Sequence, residues 1–261
     1  MEPKDMKLIP QWNQTKEEIW QQGFACLEES QARQRFFSRR HAWYAIAASI
    51  ALLLAATLFA YLYTLSWQNE GDETLSFVFP DGSRVSLNTN SALSHKPYWW
   101  FIERQVEMHG EACFEVKKGK PFTVASAADQ TVRVLGTSFH VLAREAVYQV
   151  TCLRGSIEVS AAKEKTRLTT HMRLTMAEGQ LRIDEEVDAR QSLAWMEHRF
   201  SFNGLPLSYV IAEIERYYQI RITSPSALDY YYTGNFSKDK QPEEILEIIG
   251  KPFGIHFSIV K

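Results

Sequence analysis

Charge imbalance is the first thing this sequence lacks. Its 261 residues carry 29 Lys and Arg against 31 Asp and Glu, a formal net charge of −2. Dedicated nucleic-acid-binding domains are strongly basic, so that class is disfavoured. Cysteine is scarce too: Cys26, Cys113 and Cys152 are too few for a disulfide-rich small domain, and no C-x-x-C pair exists to seed a zinc ribbon. With only 12 Gly and 9 Pro against 13% aromatic residues, the chain is neither collagen-like nor disordered. The seven His residues (41, 95, 109, 140, 171, 198 and 256) make no i, i+4 pair and no H-E-x-x-H, so no metal site is expected. Nor is there a G-x-S-x-G, a Walker A or a G-x-G-x-x-G sequence, and no catalytic residue and no cofactor are expected. Asp81-Gly82-Ser83 reads as a turn rather than as hydrolytic machinery. Glu185-Glu186 and Glu243-Glu244 read as solvated or helix-start charges.

The longest absence is local. From Ala42 to Asn69 no residue is charged, and 43–65 reads WYAIAASIALLLAATLFAYLYTL. As a helix those residues would span about 34 Å, enough for a hydrocarbon core of roughly 30 Å. Neither Gly nor Pro interrupts the run, and Trp43 and Tyr44 at one end face Tyr61, Tyr63 and Trp67 at the other, as in an interfacial aromatic belt. A cleavable signal peptide is shorter and has a small-residue site behind it, which this run lacks. A single transmembrane helix over 43–65 is therefore expected. Arg33, Arg35, Arg39 and Arg40 precede it, while Glu70, Asp72 and Glu73 follow. Positive residues stay inside, which places residues 1–42 in the cytoplasm and the remainder outside.

The 42-residue head carries one helical signature. Thr15 with Glu18 fits the S/T-x-x-E capping box, which satisfies free N–H groups at a helix start. Ile19, Trp20, Phe24 and Leu27 follow at helical spacing as one apolar stripe among Glu17, Glu18, Gln21, Gln22 and Glu28. So short a head builds little core of its own, so the stripe is expected to meet a partner or the inner membrane surface. Its acidic flanks favour a partner helix over a membrane.

Beyond the span, short alternating segments are punctuated by turns. Leu75, Phe77 and Phe79 alternate up to the turn Pro80-Asp81-Gly82-Ser83, and Val85 and Leu87 resume the pattern. Further strands are expected at 106–108, 112–116, 122–125, 131–135, 138–143, 148–153, 156–160 and 181–183. Turns are expected at His109-Gly110, Lys118-Gly119, Gly136, Arg154-Gly155 and Glu178-Gly179. An all-β domain over 70–185, as a sandwich, barrel or solenoid, follows from that density of strands, with no helix readable between Leu75 and Ile183. A helix over 187–196 is then expected. Residues 198–261 read as two β-α-β units in a small α/β domain: a strand with Phe200 and Phe202, a helix over 207–218, a strand over 220–223, then a strand over 231–236, a helix over 242–249 with Pro at its first turn, and a strand over 255–260.

Several of these stretches resemble the FecR family. They are FPDGSRVSLNTNSAL (79–93), RQVEMHGEACFEVKKGKPFTV (104–124), VRVLGTSFHVLA (132–143) and, more weakly, CLRGSIEV (152–159). The tail, with FNGLPLSYVIAEIERYYQI and YYYTGNFS followed by PEEILEII, is similar to the secretin/TonB short N-terminal domain. The resemblance implies a non-enzymatic anti-sigma regulator of the bacterial inner membrane, with its N-terminus cytoplasmic and its C-terminus periplasmic. Its head would bind an extracytoplasmic-function sigma factor, and its periplasmic part would take a signal from the N-terminal extension of a TonB-dependent outer-membrane transporter. Regulation of iron or another nutrient's uptake, and release of the sigma factor by cleavage at the membrane, are the family's pattern. The sigma-factor contact is expected on Trp12, Ile19, Trp20, Phe24 and Leu27. The head is shorter than the family's usual one, so it could act with the sigma factor as well as against it. His140 stands where Asn is usual, and Cys113 where an aromatic is common.

Two other readings accompany this one. The aromatic runs 98–101 and 230–232 could serve a membrane-anchored glycan-binding module. Cys113 and Cys152 would share an oxidising compartment, where two buried thiols are the default and a Cys113–Cys152 disulfide is the alternative.

Overall fold

The computed structural model describes residues 15–71, 73–126, 130–144, 146–224 and 227–260, with backbone alone between 24 and 40. The chain divides into two compact units, residues 1–59 and 60–261.

What is described of the first unit is helical. Helix α1 runs Lys16–Leu62, 47 residues whose last turn belongs to the second unit. Its start is the capping box: Glu18 N–H donates to Thr15 Oγ1 at 3.4 Å, and Thr15 N–H to Glu18 Oε2 at 3.0 Å. Head and apolar run are thus one helix rather than two. Residues 41–62 are long and apolar enough to cross a membrane. The helix stops at Leu62, three residues short of the expected 65, because Leu65 is already paired with His95 in a sheet.

The second unit begins with a β domain of thirteen strands: β1 (Leu65–Asn69), β2 (Leu75–Val78), β3 (Arg84–Leu87), β4 (Ser91–His95), β5 (Arg104–Glu115), β6 (Phe122–Ala125), β7 (Thr131–Val134), β8 (Ser138–Arg144), β9 (Val147–Arg154), β10 (Ser156–Ala161), β11 (Glu164–Thr169), β12 (Arg173–Ala177) and β13 (Gln180–Asp184). They form two sheets that share one strand. The first half of β5 pairs with β4 and, in parallel, with β6; its second half pairs with β3 and β8. The crossing falls at Gly110, whose φ of +100° a side chain rarely adopts, and a Cβ there would lie 2.7 Å from the Ser91 backbone. His109-Gly110 is therefore a bend inside a 12-residue strand, not the expected turn. The inner faces of both sheets meet in one core, with Trp100, Phe114, Phe122, Phe139, Tyr148 and Leu168 among its fully buried members. The fold is a sandwich.

Several elements were not anticipated. Strands β1, β4, β11 and β12 went unread, β11 because EKTRLT has almost no apolar residue and β12 because Arg173 and Thr175 are buried where solvent-facing residues are the usual reading. Pro97–Trp99 is a short 3-10 turn inside the stretch that reads as helix-free. The helix expected over 187–196 is a 3-10 segment, Ala189–Glu197, whose first turn is capped by Asp188 accepting from the Arg190 N–H at 3.0 Å.

Strand β14 (Arg199–Pro206), helix α2 (Leu207–Tyr218), strand β15 (Arg221–Thr223), strand β16 (Tyr231–Ser237), helix α3 (Pro242–Gly250) and strand β17 (Ser258–Val260) complete the chain. Strands on either side of a helix do not pair with each other. Instead β14 pairs antiparallel with β16, and β15 antiparallel with β17, giving two small ribbons. The apolar stripe of α2 (Val210, Ile211, Ile214) and that of α3 (Ile245, Leu246, Ile249) are buried with Phe200, Phe202 and Phe236. Leu142, Val147 and Ala177 of the β domain belong to that same cluster, so the C-terminal part shares its core with the sandwich.

Candidate functional site

Sheet strands expose alternate side chains to opposite faces, and on β5, β8, β9 and β12 both faces are covered. One face carries Phe114, Phe139, Val141, Val150 and Leu174 into the sandwich core. The other carries Glu111, His140, Arg144, Gln149, Thr151, Arg173 and Thr175, most of them buried beneath the 3-10 segment and the C-terminal elements.

Buried polar groups need partners, and each of these residues has at least one. Glu111 accepts from Asn88 Nδ2 at 2.6 Å through one carboxylate oxygen and from His140 Nε2 at 2.8 Å through the other. Burial by itself would raise the Glu111 carboxyl; the hydrogen bond and charge of His140, with Arg144 and Asn88, outweigh it and hold the group below its ordinary value. Arg144 donates to the carbonyls of Thr89 at 3.1 Å and Asn90 at 3.2 Å, and its Nε stands 3.4 Å from Glu213 Oε2 on α2. The same Glu213 oxygen accepts from Tyr209 Oη at 3.3 Å and pairs with Arg216. Arg144 is thus the bolt between β domain and α2. Deeper along the seam Arg173 donates to Thr151 Oγ1 at 3.1 Å and to Ser192 Oγ at 2.9 Å, tying the 3-10 segment to β9 and β12. Burial lowers the Arg173 guanidinium. A cavity of about 50 Å³ remains along this seam, bordered by Glu111, His140, Arg173 and Trp195, enough for ordered water but not for a cofactor.

A second polar anchor explains the Pro80–Ser83 turn. Asp81 accepts from the Ser83 N–H at 3.0 Å, from Ser83 Oγ at 2.7 Å and from Arg104 Nη1 at 2.7 Å. Burial pushes the Asp81 carboxyl up, but the bonds from Ser83 and Arg104 bring it below the ordinary range. Asp and Ser here clamp a hairpin to the start of β5.

The residues singled out from sequence are distributed as follows. Ile19 and Trp20 are exposed on the first turns of α1, 41% and 55% accessible. Trp12, and the side chains of Phe24 and Leu27, lie outside the described residues. Cys113 and Cys152 are both buried and unbonded. Cys113 sits opposite His140 and Cys152 opposite Phe139, adjacent residues of β8, so the thiols point to opposite faces and cannot bond. Burial pushes Cys113 up to about 12 and Cys152 to about 11, far from a reactive thiolate. The aromatic runs are divided between core and surface: Trp100 and Tyr232 are buried, while Tyr98, Phe101, Tyr230 and Tyr231 are exposed. Neither run makes one continuous sugar-stacking platform. Among the described residues no group of three or more His, Cys, Asp or Glu is placed to hold a metal ion.

The seam itself escaped the sequence reading, apart from His140. One signal was present: SFHVLAR and VYQVTCLR are nearly continuous runs of buried residues with polar members at alternate places, the mark of a strand covered on both faces.

A β sandwich locked through a polar seam to a smaller α/β part defines the class of architecture. The family described as FecR protein matches residues 68–158, and the one described as FecR, C-terminal matches residues 199–261. The chain belongs to the FecR family. Two crystal structures of a candidate anti-sigma factor from Parabacteroides distasonis ATCC 8503 are similar to it. The one at 2.50 Å is 28% identical, covers 74% of this chain and 93% of its own, and has a TM-score of 0.67. The one at 1.65 Å is 27% identical, covers 76% and 99%, and has a TM-score of 0.68. No curated protein matches the chain.

Proposed function

We propose that this protein is a membrane-anchored anti-sigma regulator. It takes a signal on the periplasmic side from a TonB-dependent outer-membrane transporter and passes it to an extracytoplasmic-function sigma factor in the cytoplasm. Membership of the FecR family and likeness to the anti-sigma structures support the regulator class. The observation that carries the arrangement is the single helix Lys16–Leu62. It joins a capped, solvent-exposed Ile19 and Trp20 to a span-length apolar segment that enters the folded unit directly. Arginines before the span and acidic residues after it support a cytoplasmic N-terminus. On this reading residues 1–42 bind the sigma factor, and 198–261 form the receptor-facing part.

Exposed Trp is a typical interface anchor, and truncating such an anchor costs upwards of about 2 kcal/mol, or roughly thirtyfold in affinity. The test is co-purification of the detergent-solubilised full chain with each extracytoplasmic-function sigma factor of its own genome. Wild type should retain one of them, and the Ile19→Ala, Trp20→Ala double variant should lose it. Retention of none by the wild-type protein refutes the sigma-factor contact.

A further inference from the structure

The loop between β4 and β5 has an unusual division of its apolar residues. Trp100 is buried, stacked on Phe79 with ring centres 4.5 Å apart and edge-on to Phe122 at 5.6 Å. Its neighbours face out: Tyr98 is 58% accessible, Phe101 72% and Ile102 66%. The loop is not slack. Ile102 and Glu103 N–H groups both donate to the Trp99 carbonyl at 2.9 Å, and Lys120 Nζ donates to the Phe101 carbonyl at 2.9 Å. A rigid loop that holds three large apolar side chains in solvent marks an interaction surface.

What covers it is indicated by its neighbours. Tyr61, inside the span-length segment, packs edge-on against Trp99 with centroids 6.0 Å apart, and Tyr63, one residue past the helix end, lies 5.5 Å from Tyr98. Lys96 Nζ sits 4.0 Å above the Tyr61 ring. These contacts hold the loop beside residues 61–63, where the apolar helix ends. Aromatic rings with nearby Lys side chains are what the headgroup layer accommodates: rings at the boundary, ammonium groups toward lipid phosphates.

We propose that the loop 97–103 is a second membrane contact, with Tyr98, Phe101 and Ile102 seated in the headgroup region of the leaflet from which the helix emerges at Leu62. Residues 60–261 would then touch the bilayer at two places, the helix end and the loop. The proposal rests on residues 41–62 spanning the membrane, and the test separates the two.

The full chain, carrying Cys26→Ser, is reconstituted in phospholipid nanodiscs with a bimane label at Phe101→Cys, Leu52→Cys or Ile248→Cys. Cys113 and Cys152 are buried with raised pKa values and stay unlabelled. Brominated phospholipid and aqueous iodide are the two quenchers. Position 52 reports the span, and position 248, exposed on α3, reports solvent. The expected result is that label 101 is quenched by brominated lipid and shielded from iodide several-fold relative to label 248. Iodide quenching equal to that at 248 overturns the proposal. Shielding from iodide without quenching by lipid also overturns it, because a protein surface then covers the loop. Lack of lipid quenching at 52 refutes the span and the loop contact together.

Discussion

The strands β5, β8, β9 and β12 have two buried faces that behave differently. The inner face is hydrocarbon, with Phe114 and Phe139 stacked at 5.1 Å amid Val141, Val150 and Leu174. The outer face is as inaccessible at several positions, yet it holds Glu111, His140, Arg144 and Arg173. An apolar face is non-directional and tolerates repacking, whereas a buried ion seated between hydrogen-bond partners is satisfied in one arrangement only. The inner face therefore supplies the stability of the sandwich. The outer face sets the one position at which the α2 side sits on it. That division gives the second contact a defined register.

The comparison can be broken most forcefully from the inside. Phe139→Ala removes a fully buried ring and should cost about 3–5 kcal/mol, seen as a lower denaturant midpoint for the sandwich and C-terminal part together. Next comes Arg144→Met, which keeps the stem but leaves the Thr89 and Asn90 carbonyls and Glu213 short of a donor. A loss of about 3 kcal/mol is expected. Here hydrogen exchange should rise first in α2 and β14, with the sandwich core still protected; uniform loosening would contradict the assignment of Arg144 to the seam. The smallest effect is acidification. Glu111 and Asp81 are both held below their ordinary values, so their contribution is fully present above the unfolded carboxylate pKa of about 4 and is lost as pH falls through the folded values. Stability should be flat from neutrality to about pH 5 and decline below about pH 4, with Glu111→Gln flattening part of that decline.

Much of this architecture is legible in the residues, and the illegible parts share a cause. The apolar run, the capping box at Thr15 and the turn at Pro80–Ser83 are local patterns with local physics, and the structure has each of them. Gly110 misleads because the same positive φ serves a turn or a bend between sheets, and only the pairing partners distinguish them. The seam hides because Arg144, Arg173 and Glu111 look like solvent-facing members of an alternating strand. Burial by another part of the chain is a long-range fact that period-two counting does not contain. Likewise, an order of strand, helix and strand does not say which strands pair, and the C-terminal ribbons pair across the two repeats. Of the candidate interaction residues, Ile19 and Trp20 are singled out by periodicity, and both side chains are exposed. The run 98–101 stands out for its rings, but which rings are turned inward depends on Phe79 and Phe122, distant in sequence.

Between the end of α1 at Leu62 and the first residue of β1 stand only Tyr63 and Thr64. Three virtual bonds of extended chain, Leu62 to Leu65, reach about 11 Å at most. If residues 41–62 span a membrane as proposed, so short a linker keeps the start of β1 within that distance of the helix end. On the proposed reading, a signal from further away would have to reach down to this surface, because a two-residue linker has no slack.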